Sequence, residues 1–287
     1  MKRYILFLLI ITVSIIINIG CRKGVILVYD DEDHVIGRYH LQERTESMYI
    51  NYEFSRIEGL DEINELKELN LSYSKTNKKE VFEKLANLKI LKLTNNNITK
   101  IEGLDKLTNL EVLDIFDNKI TKIEGLDHLT NLKILNLENN LITKIEGLDK
   151  LTNLEELYIS GNRITKIDGL DKLINLKILG IADSKITKIE GLDKLTNLEI
   201  LHISSNQITK IESLDKLLKL NKLYIRKNRL TKIDGLENLV ELKRVFIEDN
   251  KLTEKEYEIG KKKYPWIEFD PKREIQTYII EKPIDLR

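Results

Sequence analysis

The chain has 287 residues, with 47 Lys and Arg against 47 Asp and Glu, a formal net charge of 0 and one cysteine. Near-neutrality with both signs interspersed offers no basic stripe for nucleic acid, and a single thiol excludes a disulfide framework. Stability must come from apolar burial, for which a chain of this length suffices as one large domain.

The first twenty residues are a different material. Lys2 and Arg3 precede Tyr4–Ile19, which is apolar except for Thr12, Ser14 and Asn18. A positive start followed by a short apolar run reads as a secretory signal peptide. The run falls somewhat short of the ~20 clean apolar residues that a spanning helix prefers. Cys21 comes directly after Ile19-Gly20. This junction resembles a bacterial lipobox, with Asn18 standing where that family usually has Leu, and the resemblance implies lipidation of Cys21. An uncleaved signal anchor is the alternative. In either case Lys2 and Arg3 stay inside and the remainder faces outward. The expectation is an exported lipoprotein, held to the membrane at the bacterial cell envelope or surface through Cys21. Removing residues 1–20 takes the formal charge to −2.

Residues 21–56 then form the lipid anchor and a cap. A strand ending at Tyr29, the acidic run Asp30–Asp33 and a second strand over His34–His40 read as a hairpin. The acidic run lacks the spacing and glycine of a calcium loop, so it is read as a solvated turn. The hairpin would cover the open apolar edge of the repeats that begin at residue 57.

From 57 to 252 the chain repeats. Anchoring leucines fall at Leu66, Leu88, Leu110, Leu132, Leu154, Leu176, Leu198, Leu220 and Leu242, about nine units of 22 residues without insertion or deletion. Within Leu132–Leu154, Leu135 and Leu137 alternate with polar residues, the period of a short strand. Asn140 then turns the chain, its amide able to satisfy backbone groups in a buried bend. Ile142, Ile145, Leu148 and Leu151 come next at three-residue spacing, as a tight return segment requires. One unit buries too little apolar surface to order its own backbone, so the units must stack into a solenoid.

The motif ITKIEGLDKLTNLEIL at Ile186–Leu201 resembles leucine-rich repeats of the 22-residue class, as in bacterial internalins and the regulatory subunit of protein phosphatase 1. The resemblance covers about Ile57–Asn250. It implies an α/β solenoid, a right-handed horseshoe with a parallel sheet on its concave face and short 3-10 or extended segments on its convex face. It says little about the partner, because families with this repeat bind very different things; the concave columns below point to a recognition module for a protein or peptide. A scaffold that positions a separate enzyme, or a structural envelope protein, are the other readings.

After Asn250 the register ends, and 253–287 are read as the C-terminal cap and tail. Thr253 with Glu256 makes a capping box, and Leu252 with Tyr257 a staple, opening a helix that Pro265 stops. Trp266, Ile267 and Phe269 read as a covering strand. The Lys261-Lys262-Lys263 run fits a solvated helix C-terminus.

No catalytic or cofactor pattern accompanies the repeats. His34, His40, His128 and His202 show no metal-ligand spacing, and neither a G-x-S-x-G elbow nor a phosphate loop is present. The recurring carboxylates near Lys100, Lys122 and Lys144 make an exposed ladder of mixed sign. A non-enzymatic, monomeric protein without metal or cofactor is expected.

Repetition singles out the positions that differ between units. The fourth residue after each anchoring leucine reads Asn70, Lys92, Asp114, Asn136, Tyr158, Gly180, His202, Tyr224 and Phe246. The sixth reads Ser72, Thr94, Phe116, Glu138, Ser160, Ala182, Ser204, Arg226 and Glu248. Strand alternation turns both columns toward the concave face. Exposed aromatics near arginine are interface material, so Phe116, Tyr158, Gly180, Ala182, His202, Tyr224, Arg226 and Phe246 are the candidate protein-binding residues. Gly180 and Ala182 would leave a notch walled by Tyr158 on one side and His202 and Tyr224 on the other. Lys222, Arg226, Lys227 and Arg244 would make the C-terminal end positive, and Asp114, Asp117 and Glu138 the other end acidic.

Overall fold

The computed structural model describes residues 25–40, 45–60, 63–75 and 79–270. The apolar run, Cys21 and the tail after Asp270 lie outside the described residues. Each repeat contributes one three-residue strand. In chain order these are β5 (Glu68–Asn70), β6 (Ile90–Lys92), β7 (Val112–Asp114), β8 (Ile134–Asn136), β9 (Glu156–Tyr158), β10 (Ile178–Gly180), β11 (Ile200–His202), β12 (Lys222–Tyr224) and β13 (Arg244–Phe246). Neighbours pair in parallel, each residue opposite the one 22 positions on, as Leu135 lies opposite Leu157.

The repeat's aliphatic residues point inward, and their burial is nearly complete. Leu132, Leu135, Leu137, Ile142, Leu148 and Leu151 are fully buried and Ile145 is 3% exposed. On the convex side the chain returns through successive tight turns rather than regular helix. Leu107 N–H donates to Leu104 O at 2.9 Å, and Leu110 N–H to Leu107 O at 2.9 Å. A 3-10 segment at Lys79–Val81 lies in the unit that begins at Leu66. The architecture is therefore a parallel-sheet solenoid with little helix.

Two recurring residues shape most of the bends. Asn140 Nδ2 donates to the carbonyls of Ile115, Leu137 and Glu138 at 3.0, 3.1 and 3.2 Å. Its Oδ1 accepts from Ile120 N at 3.0 Å, stitching one coil to the coil before. Gly147 has φ +69, and a Cβ there would sit 2.5 Å from Ile123 O. Only glycine permits that approach without strain.

Both ends are covered. β1 (Val25–Tyr29) and β2 (Val35–His40) form the antiparallel hairpin, and β4 (Arg56–Glu58) pairs antiparallel on the other side of β1. Between them β3 (Ser47–Tyr49) leaves the cap and pairs in parallel with β5, so the long sheet takes in a strand ahead of residue 57. At the far end Thr253 caps helix α1 (Glu254–Lys263), its hydroxyl accepting from Glu256 N at 3.2 Å. Leu252 and Tyr257 pack against the core. β14 (Glu268–Asp270) adds the eleventh strand. Ile267 and Phe269 are buried beneath it, whereas Trp266 is 48% exposed and rests edge-on against Tyr264. The covering role thus falls to two of the three apolar residues, because alternation turns Trp266 outward.

Candidate functional site

Register places the fourth-position column side by side across the sheet. Tyr158, Gly180, His202, Tyr224 and Phe246 occupy consecutive strands, opposite one another. Their rings close on each other. Tyr224 and Phe246 stack with centroids 4.2 Å apart and planes 2° from parallel. His202 meets Tyr224 edge-on at 5.4 Å.

This packing corrects the expectation of exposed aromatics. Phe246 is 1% exposed, Tyr224 6% and Tyr158 9%. At the spacing of adjacent strands, about 4.8 Å, a ring on one strand roofs the next. Only His202 and Phe116 among the aromatic candidates remain half-buried. Tyr158 also leans over Gly180, since a Cβ on Gly180 would lie 3.4 Å from Tyr158 Cδ1. Its hydroxyl donates to Glu156 Oε2 at 2.6 Å. The notch beside Gly180 is therefore narrowed by the ring expected to form its wall.

The small residues beneath serve the backbone. Ser160 Oγ accepts from Ala182 N at 3.1 Å, and Ser204 Oγ accepts from Arg226 N at 3.2 Å. In the N-terminal half the corresponding N–H groups turn to Asx side chains on their own strand. Phe116 N donates to Asp114 Oδ1 at 3.1 Å and Glu138 N to Asn136 Oδ1 at 3.0 Å. At Gly180 and Tyr224, where the Asx is absent, a serine on the preceding coil takes over.

Charge is also redistributed. Arg226 pairs with Glu248 at 3.1 Å, and Arg244 pairs with Glu268 at 3.2 Å while lying over the Phe246 ring. The positive end is therefore largely neutralised, with Lys222 and Lys227 supplying its remaining charge. At the other end burial pushes the Glu138 carboxyl up to about 7, opposed by Ser160 and reinforced by Asp114 and Asp183. Burial likewise raises Asp114, against the Phe116 N–H that lowers it. The same effect drives His202 down to about 4, with Asp183 opposing and Arg226 adding to the fall. At neutral pH the floor thus carries a neutral imidazole and a half-ionised Glu138.

Three second-position residues complete the face. Ile134, Ile178 and Ile200 are half-buried beside Glu156. Their outward placement comes from the same alternation, yet isoleucine in a strand reads as core unless its position in the repeat is counted. Asp183 was equally hidden, lying in the loop just past the strand. Among the described residues no group of three His, Cys, Asp or Glu side chains is placed to hold a metal ion. No helix among them is long and apolar enough to cross a membrane.

Comparison with known proteins agrees with this geometry. The family description "Leucine Rich repeats (2 copies)" matches residues 86–128, 130–172 and 174–216. No curated protein sequence matches the chain. Among solved structures, internalin C2 of Listeria monocytogenes is 25% identical, with 73% of this chain and 81% of that one covered and a TM-score of 0.53. The internalin InlF of the same organism is 21% identical over 78% of this chain and 86% of that one, with a TM-score of 0.51. The functional domain of InlJ, also from Listeria monocytogenes, is 22% identical over 72% of this chain and 50% of that one, at 0.51. Residues 86–216 match the leucine-rich repeat family, and the described residues share the fold of internalin repeat domains.

Proposed function

We propose that this protein is an exported, membrane-anchored recognition module whose concave sheet takes a protein or peptide. The observation that carries the reading is the contrast between units. Core leucines and bend asparagines repeat almost unchanged, while the fourth and sixth positions, of which Phe116, Glu138, His202 and Arg226 still reach solvent, change from strand to strand. A surface that varies on a constant frame is where a specific partner is read. The half-buried groups Phe116, His202 and Ile178 offer apolar contact, with Ser160, Glu138 and Arg226 supplying polar orientation. The apolar run ahead of Cys21 supports export and anchoring, and the likeness to internalins supports an adhesin or receptor role facing outward.

Photo-crosslinking tests the surface. A benzophenone side chain introduced at Phe116 or His202 should trap a partner, while the same group at the convex Lys150 should not. Gly180→Arg, which fills the space beneath Tyr158, should abolish the crosslink. Trapping from Lys150 alone would move the site to the convex face. The identity of the trapped protein separates the readings: a foreign protein marks an adhesin, and an enzyme of the same envelope marks a scaffold.

A further inference from the structure

A second regular feature lies away from the concave face. A groove of about 920 Å³ runs along the edge where the strands begin, from Asn64 to Lys219. Two columns wall it. The residue before each anchoring leucine is Glu65 in the first coil, asparagine in the next six and Lys219 in the eighth. The residue after each anchoring leucine alternates in sign from Lys89 to Glu199.

Both columns are held in place within the chain. Glu111 reaches Lys89 at 2.8 Å and Lys133 at 2.7 Å, and Lys177 reaches Glu155 at 2.6 Å. Each asparagine amide donates to the coil before, as Asn109 Nδ2 does to Ala86 O at 3.0 Å and Asn153 Nδ2 to Thr130 O at 2.9 Å. Most of these side chains face solvent: Lys133, Lys177 and Glu199 are exposed, as are Asn109, Asn131 and Asn153, whereas Lys89, Glu111 and Glu155 are half-buried.

An alternating row with an even number of members inverts every charge when read backwards. We propose that this groove is the contact face of a two-fold homodimer of the chain. The axis lies in the contact plane, at right angles to the columns, and crosses midway between Lys133 and Glu155. Lys133 of each copy then opposes Glu155 of the other, Glu111 opposes Lys177, and Lys89 opposes Glu199. The asparagine column reverses onto itself, and its two charged ends, Glu65 and Lys219, meet each other. A carboxamide has two N–H donors and an acceptor oxygen, so facing asparagines can pair after their bonds within the chain are made. At about 4.8 Å per coil the eight coils span about 34 Å, and the contact is isologous, as a two-fold requires.

Other occupants fit the groove less well. A polyanion or polycation would meet its own sign at alternate coils, and an apolar ligand would cover asparagine amides and Lys and Glu head groups along both walls. A second copy, running antiparallel, meets the opposite sign at every charged coil from Lys89 to Glu199. The axis also carries concave face onto concave face, which leaves both recognition surfaces open. In this proposal the chain, expected from its sequence to be a monomer, pairs so that its two concave sheets stand side by side.

Sedimentation equilibrium of the full-length chain in mild detergent tests the proposal. Wild type should dimerise, with affinity falling roughly tenfold or more as salt rises, since the contacts join opposite charges at the surface. Glu155→Lys and Lys133→Glu should each weaken self-association about tenfold or more, because each sets like charges face to face twice. An equimolar mixture of the two variants should associate as wild type does, for every Lys of one then faces a Glu of the other. Mixing leaves contacts within each chain unchanged, so the recovery reports only contacts between copies. A wild type that is monomeric at low salt, single variants that dimerise as wild type does, or a mixture that associates no better than its components would overturn the proposal.

Discussion

Tyr224 and Phe246 lie ring on ring, 4.2 Å between centroids, although 22 residues separate them in the chain. Parallel register brings them together, and their stacking makes both rings part of the sheet's packing as well as its surface. Tyr224→Ala should therefore cost stability, about 3 kcal/mol by analogy with other buried aromatic truncations. Tyr224→Phe, which keeps the stack, should cost well under half of that. Urea unfolding followed by circular dichroism distinguishes the two, and equal losses would mean that the hydroxyl rather than the ring carries the effect.

The asparagine ladder gives a paired expectation. Asn140 makes four hydrogen bonds in the buried bend, so Asn140→Ala should cost roughly 1–3 kcal/mol. In the same position of another coil Ser184 is half-buried and reaches the Ala182 carbonyl at 3.5 Å. Ser184→Asn should be neutral or stabilising by up to about 1 kcal/mol. A harmless Asn140→Ala in equilibrium unfolding would refute the ladder's role.

Ser213 stands where most units place glycine and holds φ +58. A side chain in the left-handed region is strained by roughly 1–2 kcal/mol. Ser213→Gly should raise the unfolding midpoint by the equivalent of about 0.5–1 kcal/mol, since glycine also gains freedom in the unfolded chain. Gly147→Ser, the reverse change elsewhere in the array, should lower it.

Glu138 and His202 titrate in opposite senses. Glu138 is raised from 4.5 to about 7 in the fold, so its contribution favours the folded state at low pH and is lost as pH rises through 7. His202 is lowered from 6.5 to about 4, so its contribution is complete above 6.5 and is lost as pH falls through 4. Relative to wild type, Glu138→Gln should therefore gain stability as pH rises from 4.5 to 7. His202→Gln should gain as pH falls from 6.5 to 4. Asp114, raised by burial, adds to the Glu138 slope in wild type. Urea midpoints at half-unit steps of pH check both, and parallel difference curves would contradict the assignment.

Cys21 stands after the apolar run at the junction that resembles a lipobox. Mass spectrometry of the membrane fraction should find a mature N-terminus at Cys21 carrying acyl chains. Retention of Met1, or a soluble product cut elsewhere, would remove the lipid anchor from the proposed function.

Much of the frame was legible in the chain alone. The 22-residue spacing of Leu66 to Leu242 dictated coil length, strand position and inward face, because a repeated unit that cannot fold alone has only its neighbours to bury against. Asn140 and Thr253 were readable for a local reason: bend and cap chemistry depend on residues a few positions away. The order of the concave columns came from the same arithmetic, and the parallel register reproduces it.

What the period could not supply was depth. Whether Tyr158 stands up as a wall or lies over Gly180 depends on the room left by the adjacent strand, and neighbouring rings bury Tyr224 and Phe246. Pairing of Arg226 with Glu248 and of Arg244 with Glu268 joins residues 22 and 24 apart, so the charge at that end was settled only once coils were stacked. The titration of Glu138 likewise arises from burial and from Asp114 and Asp183 on other coils. Local periodicity determined the solenoid and which residues face outward. Exposure, net charge and ionisation on that face were decided by contacts between coils, where side chains a full repeat apart compete for the same few ångströms.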